Sequence, residues 1–306
     1  TAKSLASGSV LSLTSKRPVF NQDRNTNGDL SLSYGSFNLF NISGNFNRKI
    51  NEKLCLTINS EFVNYEGSYP YTLHYGNRVN DSTSKEKRQN NDLLSAKIES
   101  NIYANISNKS SIKTKIYFYY DEKGLPGPTT LYYLKSAQRL WNRDFFIQNV
   151  FTHHFNQNLS YKNHFKLSSN YTRYFDPYYN NAQGFQEDVY NQEEMYLNNI
   201  LAWQNKKRTI CFSLTNDLSL NSLNAKTNYE FDPKRFSSIS AITSAFKYRK
   251  LRLDLNLLHT VTKDWATLHK AFATQNHFSP FISLLLKDSH YEISLFYKDI
   301  FRIPTF

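Results

Sequence analysis

The chain has 306 residues, of which 40% are hydrophobic, and its 37 Lys and Arg against 25 Asp and Glu give a formal net charge of +12. No apolar run approaches the roughly 20 residues that a membrane-spanning helix requires, which excludes a helical membrane protein. Basic and aromatic residues do not interleave as they do on nucleic-acid platforms, so we expect no nucleic acid among the partners.

Alternation of apolar and polar residues at period two is the main pattern from residue 28 onward. In residues 94–106, Ile98 and Ile102 fall on one face of the predicted strand, whereas Lys97 and Glu99 fall on the other. The pattern predicts an all-β, antiparallel fold with about thirteen strands. In chain order they are Gly28 to Tyr34, Leu39 to Ile50, Leu54 to Tyr65, Asp92 to Ser107, Ser111 to Tyr120, Phe145 to Phe155, Leu159 to Tyr174, Glu193 to Gln204, Thr209 to Leu220, Phe236 to Tyr248, Leu251 to Lys263, Phe278 to Leu286 and Tyr291 to Phe301.

Two kinds of connection alternate between these strands. Short basic ones are Lys49 to Lys53, Ser107 to Ser111, Asn156 to Ser160, Asn205 to Arg208, Arg249 to Leu251 and Lys287 to His290; long ones rich in Tyr, Asn, Gly and Pro are Glu66 to Arg88, Asp121 to Asp144, Phe175 to Gln192, Asn221 to Arg235 and Asp264 to His277. Hairpins sorted in this way are typical of a transmembrane β-barrel of the bacterial outer membrane, whose polar face lines a water-filled lumen. A large soluble antiparallel sheet with one wet face is the alternative.

The positive charge has two interpretations. It could mark affinity for anionic ligands or for lipopolysaccharide phosphates. Much of it, however, lies in the short connections, for example in Lys206 to Arg208 and Arg249 to Arg252. This distribution favours solvated basic turns over a dedicated anion site.

The odd strand count bears on whether the chain is complete. Bacterial single-chain barrels close with an even number of strands, and an open edge is unsatisfied in lipid, so we expect a fragment. Phe306 resembles the terminal Phe of complete barrels, whereas Pro304 removes a backbone donor that a closing strand needs. No signal peptide begins at Thr1, so a secreted origin implies that this end is processed or cut away.

Residues for chemistry are sparse. The two cysteines lie on separate predicted strands, so we expect no disulfide framework, and no zinc-ligand spacing occurs. His153 and His154, with Asp176 or Glu187, could act as a base and its orienting group. Adjacent strand residues point to opposite faces, however, so the two histidines cannot share a site. We therefore expect no catalytic residue, metal, cofactor or enzymatic activity.

Aromatic residues in the long connections are the candidates for ligand binding, because rigid rings with a few hydrogen-bonding groups hold large planar or macrocyclic ligands. They are Tyr69, Tyr71 and Tyr75 in the first long connection, Tyr132, Tyr133, Arg139 and Trp141 in the second, and Tyr178, Tyr179 and Tyr190 in the third. The alternative is that these rings form the interfacial aromatic belt or pack the loops together.

Three segments together resemble the TonB-dependent outer-membrane receptors. Residues 6–18, ASGSVLSLTSKRP, resemble the last strand of that family's plug domain, and residues 29–38, DLSLSYGSFN, resemble its first barrel hairpin. Residues 301–306, FRIPTF, resemble a segment found well before the family's C-terminus. The three segments occur in the family's order, which no single short motif could establish.

The resemblance implies a 22-stranded barrel around an N-terminal plug, with a ligand bound in the extracellular vestibule and TonB pulling on the start of the plug. It assigns residues 1–26 to the end of the plug and a linker, and residues 27–306 to a partial barrel. Implied partners are TonB, outer-membrane lipids and lipopolysaccharide, a small-molecule ligand and, as a further candidate, a surface lipoprotein.

A narrower resemblance concerns the ligand. Residues 121–128 (DEKGLPGP), 136–146 (SAQRLWNRDFF) and 174–179 (YFDPYY) are similar to segments of Bacteroidetes receptors described as vitamin B12 transporters. This resemblance implies cobalamin as the transported nutrient. The alternatives are a siderophore-iron receptor of the same family, or a passive porin or adhesive barrel with neither plug nor energy coupling.

Overall fold

The computed structural model describes residues 1–5, 15, 17–20, 24–76, 81–129, 136–227, 230–266 and 274–301. A short helix, α1 (Ala2–Leu5), precedes the strands. These are β1 (Thr26–Gly35), β2 (Leu39–Lys49), β3 (Leu54–Tyr65), β4 (Pro70–Gly76), β5 (Asp81–Lys87), β6 (Leu93–Ser107), β7 (Ser110–Leu125), β8 (Gln138–His154), β9 (Leu159–Asp176), β10 (Gln186–Gln204), β11 (Ile210–Lys226), β12 (Glu230–Phe231), β13 (Pro233–Tyr248), β14 (Leu251–Ala266), β15 (Gln275–Lys287) and β16 (Glu292–Lys298).

One antiparallel sheet contains thirteen of these strands in chain order, β1-β2-β3-β6-β7-β8-β9-β10-β11-β13-β14-β15-β16, and β12 pairs at the end of β11. Each predicted strand corresponds to one strand of this sheet, so the predicted all-β antiparallel architecture is confirmed. Within the described residues, β1 pairs only with β2 and β16 only with β15. No helix in that part of the chain is long and apolar enough to cross a membrane.

The long connections are partly strand, which the sequence did not predict. The first contains the separate β4–β5 hairpin, and β7, β8, β10 and β11 all continue beyond their predicted ends. The apolar alternation stops where the outer face leaves the hydrocarbon, whereas backbone pairing needs no apolar side chain and continues. The wall strands therefore extend past the apolar band at the end that carries the long connections.

The sheet has an apolar face and a polar face. On β11, Leu214 is 54% exposed, whereas its neighbour Thr215 is 4% exposed and Asp217 is 3% exposed. Ile98 and Ile242 lie on the same face as Leu214 and are also exposed. An exposed apolar face of this extent indicates contact with lipid.

The polar face is concave and holds the N-terminal residues. Ala2 is fully buried against Ile239 and Leu258, on β13 and β14. Farther along the chain, Ser15 donates a hydrogen bond to Asn101 on β6, at 3.2 Å. Both contacts lie on the polar face, which is therefore the face against which the described N-terminal residues dock. We call this polar, concave face the inner wall and the apolar one the outer face.

Candidate functional site

The inner wall carries a buried polar network near the long connections. Asp121 on β7 is 1% exposed and accepts a hydrogen bond from Asn142 on β8 at 2.7 Å. Thr172 on β9 in turn donates to Asn142 at 3.0 Å. Lys123 pairs with the same aspartate at 3.0 Å. Each partner is positioned by strand register, because alternate residues of adjacent strands share one face.

Three more aspartates lie at this end of the inner wall, each beside an amide donor. Asn170 donates to Asp144 at 2.7 Å, Gln138 donates to Asp176 at 2.8 Å, and Gln186 donates to Asp188 at 2.6 Å. Neutral amides satisfy these carboxylates without cancelling their charge. The upper inner wall therefore presents a hydrogen-bonding, acidic surface to whatever enters from the side of the long connections.

Midway along the wall, charges are paired rather than isolated. Lys97 contacts Glu61 at 2.6 Å, and Lys166 contacts Glu194 at 2.9 Å. Such pairs hold neighbouring strands in register and leave little net charge in the middle of the lumen.

Two of the candidate ligand residues, Tyr69 and Tyr71, lie together in the first long connection. Their ring centroids are 6.4 Å apart, and Tyr69 also meets Phe37 edge to face at 5.9 Å. Tyr71 belongs to β4, as does Tyr75, of which only the backbone pairing with Ser82 is described. The two rings therefore pack on each other, and Tyr69 also packs on the β1–β2 turn, as the loop-packing alternative expects.

The third long connection places its tyrosines differently. Tyr178 and Tyr179 lie between β9 and β10 and are 76% and 44% exposed. Tyr190 lies on β10, not in the loop as the sequence suggested, opposite Thr172 on the inner wall. The rings of Tyr178 and Tyr179 are therefore accessible from outside the molecule, and the ring of Tyr190 is accessible from the lumen. Tyr132 and Tyr133 of the second connection fall outside the described residues.

Arg139 and Trp141 require a correction, because both lie on β8 and not in a loop. Both side chains lie on the outer face, as does Phe145, which is four residues from Trp141 and six from Arg139 in the direction of the bilayer. Both therefore point away from the lumen. Arg139 contacts Asp92 and Glu122, both at 2.8 Å. It lies beyond the apolar band, and its hydrogen bond to Asp92 raises the pKa of the guanidinium despite partial desolvation. Neither residue faces the proposed vestibule.

The outer face at this end carries a cluster of guanidinium and aromatic groups that the sequence did not reveal. Arg173 lies 4.6 Å from the ring of Trp141 and pairs with Glu187 at 2.6 Å, and Arg143 lies 4.1 Å from the ring of Tyr171. Amphipathic stacks of this kind suit the headgroup level of a membrane. The spacing of these residues at period two on β8 and β9 was the available signal.

The histidine pair behaves as predicted. His153 lies on the outer face, where Phe155 meets it edge to face at 4.6 Å, and Ser110 hydrogen-bonds its Nδ1 at 2.8 Å. His154 instead lines a cavity of about 560 Å³ on the inner wall. The two rings do not share a site, so their arrangement offers no base with an orienting partner.

No family model matches the sequence, and no curated protein matches it. Solved structures match by fold. The ferripyoverdine receptor of the outer membrane of Pseudomonas aeruginosa gives a TM-score of 0.71 at 10% identity, covering 95% of this chain and 44% of the receptor. The alcaligin outer-membrane receptor of Bordetella pertussis gives 0.67 at 11% identity, covering 94% and 45%.

A third match is the ferric preacinetobactin receptor of Acinetobacter baumannii, with a TM-score of 0.67 at 11% identity, covering 87% of this chain and 46% of the receptor. The chain therefore has the fold of outer-membrane receptor barrels and spans less than half the length of these three proteins.

Proposed function

We propose that the chain is part of a TonB-dependent receptor of the bacterial outer membrane, which imports a scarce, bulky nutrient. The observation that carries this proposal is the docking of N-terminal residues inside the curved sheet, with Ala2 on β13 and β14 and Ser15 on β6. A receptor worked by TonB needs a plug in this position, whereas a passive porin or adhesive barrel needs none. Residues 1–26 would then be the end of the plug and residues 27–306 part of the barrel.

The nutrient is a ferric siderophore or cobalamin. The three solved structures named above are receptors for ferripyoverdine, alcaligin and ferric preacinetobactin, which favours the siderophore. The resemblance in residues 121–128, 136–146 and 174–179 favours cobalamin. Both ligands are large and rigid, and both suit the accessible rings of Tyr178, Tyr179 and Tyr190.

The apolar outer face would contact lipid, and lipopolysaccharide would surround the stacked Arg and Trp residues above it. A surface lipoprotein is a candidate partner of the long connections. TonB would act through the plug and not through the described wall.

Uptake and equilibrium binding of each nutrient, measured in cells with and without TonB, test the proposal. We expect binding in both strains and uptake only with TonB. Undiminished uptake without TonB would contradict coupled transport and would favour the passive porin.

A triple variant tests the ligand residues. Replacing Tyr178, Tyr179 and Tyr190 by Ala should weaken binding by about 1–3 kcal/mol or more, because aromatic anchors dominate such contacts. The matched control replaces Tyr248 and Tyr291, which are exposed at the opposite end of the wall, and should leave binding unchanged. An equal loss of binding in the two variants would show that Tyr178, Tyr179 and Tyr190 do not bind the ligand.

A further inference from the structure

A cavity of about 710 Å³ opens on the inner wall near the short turns. Lys113 and Lys115 of β7 line one side, and Lys162 of β9 lines the other. Arg17, from the N-terminal segment, closes over the same space. Four cations therefore converge on one compartment at the end of the wall opposite the aspartates described above.

The side chains of the strand between the lysines are short. Val150 and Thr152 of β8 separate β7 from β9 in this part of the sheet, paired with Lys113 and Ser111 on one side and with His164 and Lys162 on the other. Both side chains are short, whereas the flanking lysines are long. β7 and β9 are two strand spacings apart, about 10 Å. Lys113 and Lys162 are offset by two residues along these strands and line the same cavity, which leaves room for an oxyanion between them.

Little negative charge lies in the compartment to cancel these cations. Glu99 is paired with Lys115 at 3.0 Å and also accepts a hydrogen bond from Asn101 at 2.8 Å. Lys113 is held by the backbone carbonyl of Ser15 at 2.6 Å, which is a neutral partner. Lys162 is exposed and makes neither an ion pair nor a hydrogen bond within the described part of the chain.

We propose that this compartment binds an anionic solute through its phosphate or carboxylate groups on the way to the periplasm. Ammonium and guanidinium groups are the usual ligands of such oxyanions, and clustered charge in a confined space concentrates counter-ions. The electrostatic potential becomes more positive from the aspartates of the upper wall to the lysines of the lower wall, so an anion that has passed the aspartates is attracted towards the lysines. The role of this compartment in transport rests on the proposed uptake function. If the inference holds, the imported nutrient is an anion.

The test is a titration of the full chain in detergent at low ionic strength with inorganic phosphate, and separately with citrate to distinguish phosphate from carboxylate recognition. The variant Lys113→Gln/Lys115→Gln/Lys162→Gln should weaken binding at least about tenfold. Lys162→Gln alone removes an unpaired, exposed lysine without disturbing the fold. It should weaken binding roughly fourfold, the value of one unit charge about 5 Å away in water.

The inner wall offers a matched control with the same change in net charge. Lys97, Lys123 and Lys166 are each already paired with a carboxylate, so their replacement by Gln should change phosphate binding by less than about twofold. Equal weakening in the two triple variants would overturn the proposal, as would a wild-type protein that binds neither probe saturably. The titration involves neither TonB nor the nutrient, so its failure and the failure of coupled uptake are separate results.

Discussion

The outer face and the inner wall of the same strands reverse the usual relation between burial and polarity. Leu214 and Ile98 on the outer face are 54% and 48% exposed, whereas Asn198 and Asp217 on the inner wall are 0% and 3% exposed. In a soluble protein the buried face would be the apolar one. The reversal shows that lipid, not a packed core, selects the register of these strands, since a one-residue slip would exchange the two faces.

The largest effect on folding free energy is expected when a charge is placed on the outer face rather than on the inner wall. Leu214→Arg places a cation on the lipid face near the middle of β11 and should cost about 2–4 kcal/mol of folding free energy. Ser213→Arg, on the inner wall one residue away, should cost much less because the side chain reaches water. Folding titrations into lipid vesicles measure both. Equal costs would show that the two faces are not distinguished by lipid.

An intermediate effect is expected for amides on opposite faces. Asn198 donates to Thr215 at 3.1 Å and also contacts the buried Asp217. Asn198→Ala should therefore cost about 1–3 kcal/mol, because it removes a donor from a buried carboxylate. Asn216→Ala, which removes an outer-face amide bonded to Ser240 at 2.8 Å, should cost less than about 1 kcal/mol, since lipid favours the apolar side chain. Urea titrations of both variants measure these costs, and a larger cost for Asn216→Ala than for Asn198→Ala would contradict the prediction.

A smaller effect is expected at the apolar patch of the inner wall that contacts Ala2. Leu258 is 3% exposed beneath Ala2. Leu258→Ser should weaken the docking of α1 by about 1–2 kcal/mol and speed amide exchange at residues 2–5. Leu257→Ser, on the outer face, should leave exchange at residues 2–5 unchanged. Unaltered exchange in the first variant would mean that this patch does not hold the N-terminal segment.

The smallest effect is expected in a turn, where neither face exists. A hydrogen bond from Lys250 lowers the pKa of the Asp288 carboxyl, with further support from the backbone of Ser289. A lowered pKa stabilises the fold above the carboxyl's ordinary pKa, and this contribution is lost as the pH falls through the lowered value. Lys250→Ala should raise the pKa of Asp288, measured by NMR titration. An unchanged pKa would assign the shift to the backbone.

Sequence alone predicted the wall well, because lipid on one side and water on the other enforce alternation residue by residue. Ile98 lies on the outer face and Lys97 on the inner wall, as their alternation predicted. The same logic failed beyond the bilayer, where Trp141 and Arg139 occupy outer-face positions without being apolar, and composition alone suggested a loop. Register with Phe145 would have placed them correctly.

Other features depend on contacts that no local pattern encodes. The cavity between Lys113 and Lys162 arises because β8 separates the two strands with short side chains, and its cover comes from Arg17. The docking of Ala2 on Leu258 joins residues at opposite ends of the chain. The roles of Tyr178, Tyr179 and Tyr190 in binding stay predictions.

The order of the sheet also bears on how the wall is assembled. Every wall strand pairs with its neighbours in sequence, so each hairpin can form on an edge that the preceding hairpin has already completed. The closure steps differ in difficulty, since β13 and β14 are joined by Arg249 and Lys250 alone, whereas residues 66–92 separate β3 from β6. Longer closures cost more chain entropy, by about 0.6 kcal/mol for each doubling of length. Folding from the C-terminal hairpins should therefore outpace folding across β3 and β6, and the β4–β5 hairpin shortens that closure by ordering part of its loop in advance.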